Sequence, residues 1–156
     1  MKFHKVNNGF TLVEMIVTLV LIGILAAVAI PRLFDTDAFK SRGFFDEVVN
    51  AARYGQKLAV ASGCPVEFRI TNGVGNNGRY GLFQRLNSCI SGPYTRAVSS
   101  PGNPGPFAAS PPGGVSLSAV PVTEIVFDSR GGASAGMTVT VDDLSFSIIA
   151  ESGYVD

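Results

Sequence analysis

The sequence predicts an α+β fold, in which helices occupy the first part of the chain and short strands the remainder. Three observations carry this prediction. Residues 10–30 form an apolar run long enough for a long helix, residues 31–62 place apolar side chains at helical spacing, and the sequence after Pro65 alternates apolar and polar residues. A helix followed by antiparallel strands buries its apolar stripe on one face of the sheet. At 156 residues the chain has room for the apolar helix and one small globular domain.

The first two segments are a basic leader, residues 1–9, and the apolar run, residues 10–30. The leader holds Lys2 and Lys5 and no acidic residue, while Glu14 is the single charge of the apolar run. A helix of that length extends about 32 Å, close to the roughly 30 Å hydrocarbon core of a bilayer. The positive-inside rule keeps the leader in the cytoplasm and places the rest of the chain on the opposite face. The sequence therefore predicts one membrane-spanning helix.

Glu14 is the residue of this helix that most needs a physical explanation. A carboxylate near the bilayer centre costs about 2.5–3.5 kcal/mol, so an intramembrane carboxylate is by default a functional-site hypothesis. Its position about one helical turn from Phe10 also brings it within reach of the interface. The alternative is an uncleaved signal anchor in which Gly9 and Glu14 are incidental.

The residues from Gly9 to Glu14 resemble the processing site of type IV prepilins and pseudopilins. The glycine, the phenylalanine, the glutamate, the basic leader and the apolar run are all in register with that motif. The resemblance implies that a prepilin peptidase cleaves between Gly9 and Phe10 and methylates the new amino terminus of Phe10. It also implies that Glu14 pairs with the N-terminal amine of a neighbouring subunit. Because an ion pair in an apolar bundle is favourable only when both charges meet, Glu14 would set the packing register.

Residues 31–62 are predicted to continue the helix with an amphipathic pattern. Gly23 and Pro31 are the expected points of flexibility, because glycine loosens a helix and proline removes a backbone hydrogen bond. Pro31 has the alternative role of marking the membrane exit. The helix is expected to stop at residue 62, where Gly63 and Pro65 follow. The apolar stripe that should cover a sheet contains Phe45, Val48, Val49, Ala52, Gly55 and Ala59.

Residues 63–156 are predicted to form a β-rich globular head. An Asn- and Gly-rich turn at 71–78 indicates a hairpin between its first two strands. The segment 91–114 is rich in proline and glycine and is expected to be a long surface loop without regular structure. The predicted strands cover residues 66–70, 79–86, 115–120, 122–127, 137–141 and 144–150.

Cys64 and Cys89 are the only cysteines of the chain. In an oxidising periplasm they can form a disulfide, which the chain-entropy model values at about 3 kcal/mol. Two unpaired buried thiols are the alternative. Neither residue has a second cysteine nearby that would indicate a metal cluster.

Enzymatic and metal chemistry find little support in the sequence. His4 is the only histidine and lies in the leader, so a processed chain would lack the commonest general base and metal ligand. The carboxylate pairs Asp35/Asp37 and Asp142/Asp143 offer too few oxygens for calcium, and the second pair is typical of a turn. No cofactor, metal or small-molecule substrate is therefore predicted.

Nucleic-acid binding is a separate hypothesis, since some relatives of the resembled family bind DNA for uptake. Four arginines and three aromatic residues could provide phosphate contacts and stacking surfaces. Removal of the leader leaves ten basic against twelve acidic residues, so the charge balance favours scattered solubilising arginines instead. The residues concerned are Arg79, Arg85, Arg96, Arg130, Tyr80, Phe83 and Tyr94.

Beyond the processing site the chain resembles the GspH/FimT family of minor pilins and pseudopilins, and in particular the MshC-like minor pilins of the MSHA pilus system. This resemblance implies the pilin fold, a periplasmic head on an inner-membrane helix, and a minor subunit that assembles into or initiates a filament. The implied partners are other pilin or pseudopilin subunits, the prepilin peptidase and an inner-membrane assembly platform. The alternatives are a type II secretion pseudopilin, a DNA-uptake minor pilin and an anchored domain that never assembles. Residues 44–48, 52–59, 125–128, 131–132 and 151–155 carry the resemblance.

Overall fold

A computed structural model of the chain describes residues 10–33, 36–102 and 105–156. The chain divides into two compact units, one ending at Thr36 and one beginning at Asp37. The helices are α1 (Leu12–Leu33) and α2 (Thr36–Ser62). The strands are β1 (Val66–Thr71), β2 (Gly73–Val74), β3 (Arg79–Arg85), β4 (Tyr94–Ala97), β5 (Ala108–Ala109), β6 (Ser116–Val120), β7 (Glu124–Phe127), β8 (Met137–Val141) and β9 (Leu144–Ile148). The predicted α+β class is confirmed.

Helix α1 is continuous over the two positions expected to weaken it. Its 22 residues pass through Gly23 and Pro31 and end at Leu33. At Gly23 an added Cβ would meet no atom within 4 Å, so contacts within this chain do not require a glycine there. Flexibility at Gly23 and Pro31 stays a prediction.

Helix α2 supplies one wall of the core. Its buried side includes Val48, Ala52 and Ala59, all fully buried as the stripe predicted, and also Phe44. Gly55 lies where the helix touches the sheet, because a Cβ there would stand 2.8 Å from Leu82 Cδ2. The helix ends at Ser62 as expected.

The head contains two antiparallel sheets among the described residues, whereas the sequence suggested a single one. The first has the order β4-β3-β1-β7 with β5 also on β3, and the second has the order β2-β6-β8-β9. The expected hairpin of β1 and β3 is present. Its turn is more than a connection, since Gly73 and Val74 pair with β6 in the second sheet. Helix α2 contacts both sheets, through Phe44 on Tyr80 and Phe45 on Phe146.

The segment 91–114 was expected to lack regular structure, and this expectation was wrong. It contains β4 and β5, which both pair with β3. The segment folds back on itself, since the Phe107 N–H donates to Val98 O and Ser99 forms a bridge with Pro106. Val98 also donates to Leu82 O of β3, and its buried side chain fixes the segment to the core. Apart from Pro106, the described prolines and glycines of the segment lie outside its paired residues, where the missing N–H of proline removes no ladder hydrogen bond.

Candidate functional site

The N-terminal motif is described from Phe10 onward, and Gly9 lies outside the described residues together with the rest of the leader. Thr11 caps helix α1. Its hydroxyl accepts a hydrogen bond from the Glu14 backbone N–H at 3.2 Å, and its carbonyl accepts the first bond of the helix, from Met15 N. Threonine three residues before glutamate is the arrangement of a capping box, which satisfies amide groups that a helix end leaves free.

Glu14 therefore has a local role as well as the predicted one. It lies in the first turn of α1, where a negative charge interacts favourably with the helix dipole. The side chain is exposed, and among the described residues it has no ion pair. No cation from the described residues occupies the carboxylate.

Apart from Thr11 and Thr18, the side chains around Glu14 on the helix are large and apolar. Phe10 is 82% exposed and Leu12 is 76% exposed, and large apolar side chains stay exposed along the helix as far as Leu25. A helix that is apolar all round normally lies in apolar surroundings. Within residues 10–33, 36–102 and 105–156, no helix combines the length and the apolar character needed to cross a membrane.

Cys64 and Cys89 form a disulfide, with their Cα atoms 4.8 Å apart. Cys64 follows the end of α2, where Gly63 turns the chain with a φ of +66°. Cys89 belongs to the connection between β3 and β4. The bond thus ties this connection to the end of the helix.

The arginines and aromatic residues proposed for nucleic acid do not form one surface. Tyr80 is buried, and its hydroxyl donates to Glu47 Oε1 at 2.7 Å. Burial raises the pKa of Tyr80, and the hydrogen bond and charge of Glu47 raise it further. Arg130 pairs with Asp128 at 3.3 Å in a different turn. Arg85 stacks over the Tyr94 ring, 4.9 Å from its centroid. The structure therefore divides the set between the core, one turn and the region of the disulfide.

A polar cluster that the sequence did not reveal joins α2, β6 and the turn after β8. Asp142 accepts hydrogen bonds from Ser41 Oγ at 2.5 Å and from the Ser116 N–H and hydroxyl, both at 2.8 Å. Burial by itself would raise the pKa of Asp142, but these donors outweigh it and hold the pKa below its usual value. Asp142 has a φ of +50°, so the cluster also fixes an uncommon backbone conformation. The sequence offered only the turn itself as a signal.

An open groove of about 950 Å³ lies beside this cluster. Phe39, which is 79% exposed, and Leu144 provide its apolar lining, and Arg42 and Asp143 provide charges of opposite sign. The mixed lining indicates no single ligand class.

Glu67 is a buried carboxylate that the strand pattern did not distinguish. It is 6% exposed on β1 and forms an ion pair with Arg69. Burial raises the pKa of Glu67, and the neighbouring Arg69 opposes that shift. Arg69 also covers the Phe83 ring, 4.7 Å from its centroid, and pairs with Glu124. In the described part of the chain, no group of three or more His, Cys, Asp or Glu side chains could hold a metal ion.

Comparison with known proteins starts at the N-terminal motif. The family model of the prokaryotic N-terminal methylation motif matches residues 4–30. A fimbrial protein of Neisseria meningitidis serogroup B (strain ATCC BAA-335 / MC58) is 35% identical over 97 residues, which is 61% of this chain and 51% of the relative. The chain therefore spans about half the length of the curated relative that it matches.

Two solved structures share the fold. The type IV minor pilin FimU of Pseudomonas aeruginosa aligns with a TM-score of 0.52 at 12% identity, over 78% of this chain and 90% of FimU. The minor pseudopilin EpsH from the Type 2 Secretion System of Vibrio cholerae aligns with a TM-score of 0.54 at 11% identity, over 75% of this chain and 94% of EpsH. At such identities the similarity shows the fold alone. This chain has the pilin fold.

The motif, the relative and the fold together support one class of protein, the type IV pilins and pseudopilins. The curated relative is a fimbrial protein, and the two solved structures are a minor pilin and a minor pseudopilin.

Proposed function

We propose that this chain is a minor pilin of an MSHA-like type IV pilus, which assembles into or initiates the filament after cleavage between Gly9 and Phe10. One observation carries the proposal. The methylation motif leads directly into a capped helix whose apolar side chains are exposed and whose one carboxylate, Glu14, has no cation among the described residues. A helix of this kind gains most from packing against other apolar helices or lipid tails.

Glu14 is proposed to act as the register residue of assembly. In a bundle of apolar helices an unpaired carboxylate is costly, and it becomes tolerable when the methylated amine of Phe10 from a neighbouring subunit lies beside it. Correct packing is thus favoured over every register that leaves Glu14 alone. Before assembly we place the chain in the inner membrane with its head in the periplasm.

The second candidate is a minor pseudopilin of a type II secretion system. The fold shared with EpsH favours it, as the fold shared with FimU favours a pilus subunit. The remaining alternatives, a DNA-uptake pilin and a domain that never assembles, have less support, because the proposed arginines are dispersed and the large apolar side chains of α1 are exposed from Leu12 to Leu25.

Mass spectrometry of the mature N-terminus tests the processing step. The expected terminus is N-methylated Phe10 in wild-type protein, and intact Met1 in a Gly9→Val variant that the peptidase should not cleave. Wild-type protein that retains Met1 would contradict the proposal. Cross-linking in cells and identification of captured pilins then distinguishes the two systems. We expect MSHA-type pilins, and secretion-system pseudopilins in their place would select the second candidate.

A further inference from the structure

A small pocket of about 160 Å³ lies beside the disulfide. Two arginines, Arg85 and Arg96, line it together with the polar residues Gln84, Asn87 and Ser88, and its lining contains no acidic residue. The surface of the head therefore has a positive site that the proposed function does not use.

The guanidinium of Arg85 is held in place, but only some of its N–H groups have hydrogen-bond acceptors. Its guanidinium stacks over the Tyr94 ring, and its Nη1 donates to the Ile90 carbonyl. Its Nε is buried and has no hydrogen-bond acceptor among the described residues. Ile90 follows Cys89, so the disulfide helps to fix the carbonyl that orients Arg85. A buried, charged N–H without an acceptor is costly, so the described part of the chain does not fully satisfy the Arg85 guanidinium.

Arg96 completes a pair of guanidinium groups without an anion. It lies opposite Gln84 in the register of β3 and β4, and its Nη2 donates to Gln84 Oε1 at 2.9 Å. Neither Arg85 nor Arg96 forms an ion pair within the described ranges, whereas Arg69 and Arg130 each pair with a carboxylate. The lining of the pocket thus contains two planar guanidinium groups of the kind that binds oxyanions.

We propose that this pocket binds the carboxylate of an aspartate or glutamate from a partner protein, with aliphatic side chains beside it. The aliphatic part of the ligand follows from the exposed aliphatic side chains nearby. Leu86, which lines the pocket, is 55% exposed, and Ile90 in the same disulfide-tied connection is 88% exposed. Arginine and tyrosine are enriched at the energetic centre of protein interfaces.

A protein carboxylate fits this site better than the phosphodiester backbone of a nucleic acid. A polyanionic strand needs a row of cations along its path. Arg79 lies at the opposite end of β3 from Arg85, and Arg130 is occupied by Asp128. The site is one isolated pair of charges with exposed aliphatic side chains nearby. Binding at this pocket requires no filament assembly, so its test is independent of the mass-spectrometric test of N-terminal processing.

Arginine side-chain NMR of the full-length protein in a neutral detergent tests the proposal. The Nε–H signals of arginine are followed while the capped peptide acetyl-Leu-Glu-Leu-amide is added. Saturable shifts of the Arg85 and Arg96 signals are expected, and the glutamine peptide acetyl-Leu-Gln-Leu-amide should bind at least about tenfold more weakly. Arg96→Gln, at an exposed position, should weaken binding of the glutamate peptide by a similar factor of about ten. Arg79→Lys is the matched control and should leave it unchanged.

Four outcomes would overturn the proposal. They are equal binding of the two peptides, equal shifts of all arginine signals, unchanged binding in Arg96→Gln, and absence of any saturable shift. An oligothymidylate that saturates the site at lower concentration than the glutamate peptide would replace the protein partner by a nucleic acid. Arg85→Lys keeps the charge and removes the fork, so it should also weaken binding, and wild-type affinity in that variant would contradict the role of Arg85.

Discussion

Helix α1 and the globular head solve opposite physical problems. The head buries its apolar side chains within one chain, and its carboxylates at Asp142, Glu67 and Glu47 each have a partner there. Helix α1 leaves its large apolar side chains exposed from Leu12 to Leu25, and the Glu14 carboxylate has no cation in the described part of the chain. The difference separates the part of the chain that stabilises the fold from the part that leaves apolar groups for other molecules. Stability of the fold comes from the head. The described part of α1 leaves a long apolar surface for other molecules, and the head leaves the pocket lined by Arg85 and Arg96.

The largest expected effect is the loss of filament incorporation when Glu14 is substituted. Glu14→Ala should lower incorporation into filaments more than about tenfold, because removing one partner of a buried ion pair costs about 3–5 kcal/mol. The head should melt as in the wild type. The measurement is the ratio of sheared-filament protein to membrane protein in immunoblots.

Glu14→Gln separates charge from shape in the same assay. It keeps the size of the side chain and removes the charge, so it should fail nearly as severely as Glu14→Ala. Glu151→Ala, at an exposed carboxylate of the head, is the control and should assemble normally. Normal incorporation of Glu14→Ala would show that another residue sets the register.

The next largest effect is expected in the core of the head. Phe127 is fully buried on β7, so Phe127→Ala should reduce the free energy of unfolding by about 3–5 kcal/mol. Near-UV circular dichroism of the tyrosines reports this unfolding selectively, because all four lie after residue 36. Tyr154→Ala, at a residue 57% exposed, should change it by less than about 0.5 kcal/mol. A similar loss in both variants would contradict the assignment of the core.

The sequence predicted those parts of the molecule that are determined by residues close together in the chain. The stripe of α2 and the strand at 137–141 follow from side-chain spacing alone, and Thr11 and Glu14 lie within a motif of contiguous residues. The local pattern also predicted the hairpin of β1 and β3, since its strands are joined by a turn rich in asparagine and glycine.

What the sequence missed depends on contacts between distant residues. Strands β4 and β5 form because their backbones pair with β3, and their side chains show no alternation that would predict them. Asp142 is held by Ser41, 101 positions away, so its environment becomes visible only in the folded head. Arg85 and Arg96 likewise line one pocket because β4 pairs with β3. The processing motif is local, and the pocket of the head is not.

Removal of the disulfide should have an intermediate effect, again confined to the head. A Cys64→Ser/Cys89→Ser variant should lose about 2–4 kcal/mol of unfolding free energy. A reducing agent should lower the midpoint of the wild type and leave that of the double variant unchanged. Equal midpoints of oxidised wild type and double variant would show that the bond does not stabilise the fold.

The smallest expected effect tests whether the head's polar groups stabilise it through charge. The pKa of Asp142 is lower in the folded chain than in the unfolded one, so its contribution is present above the unfolded pKa of about 3.9 and is lost as the pH falls through the folded value. Asp142→Asn suits the same left-handed backbone and removes the charge, and it should cost about 1 kcal/mol at neutral pH. The difference from the wild type should shrink in denaturation curves measured at progressively lower pH. Asp143→Asn, at the exposed neighbour, should match the wild type at every pH, and a deficit of Asp142→Asn that persists in acid would assign the role of Asp142 to shape rather than charge.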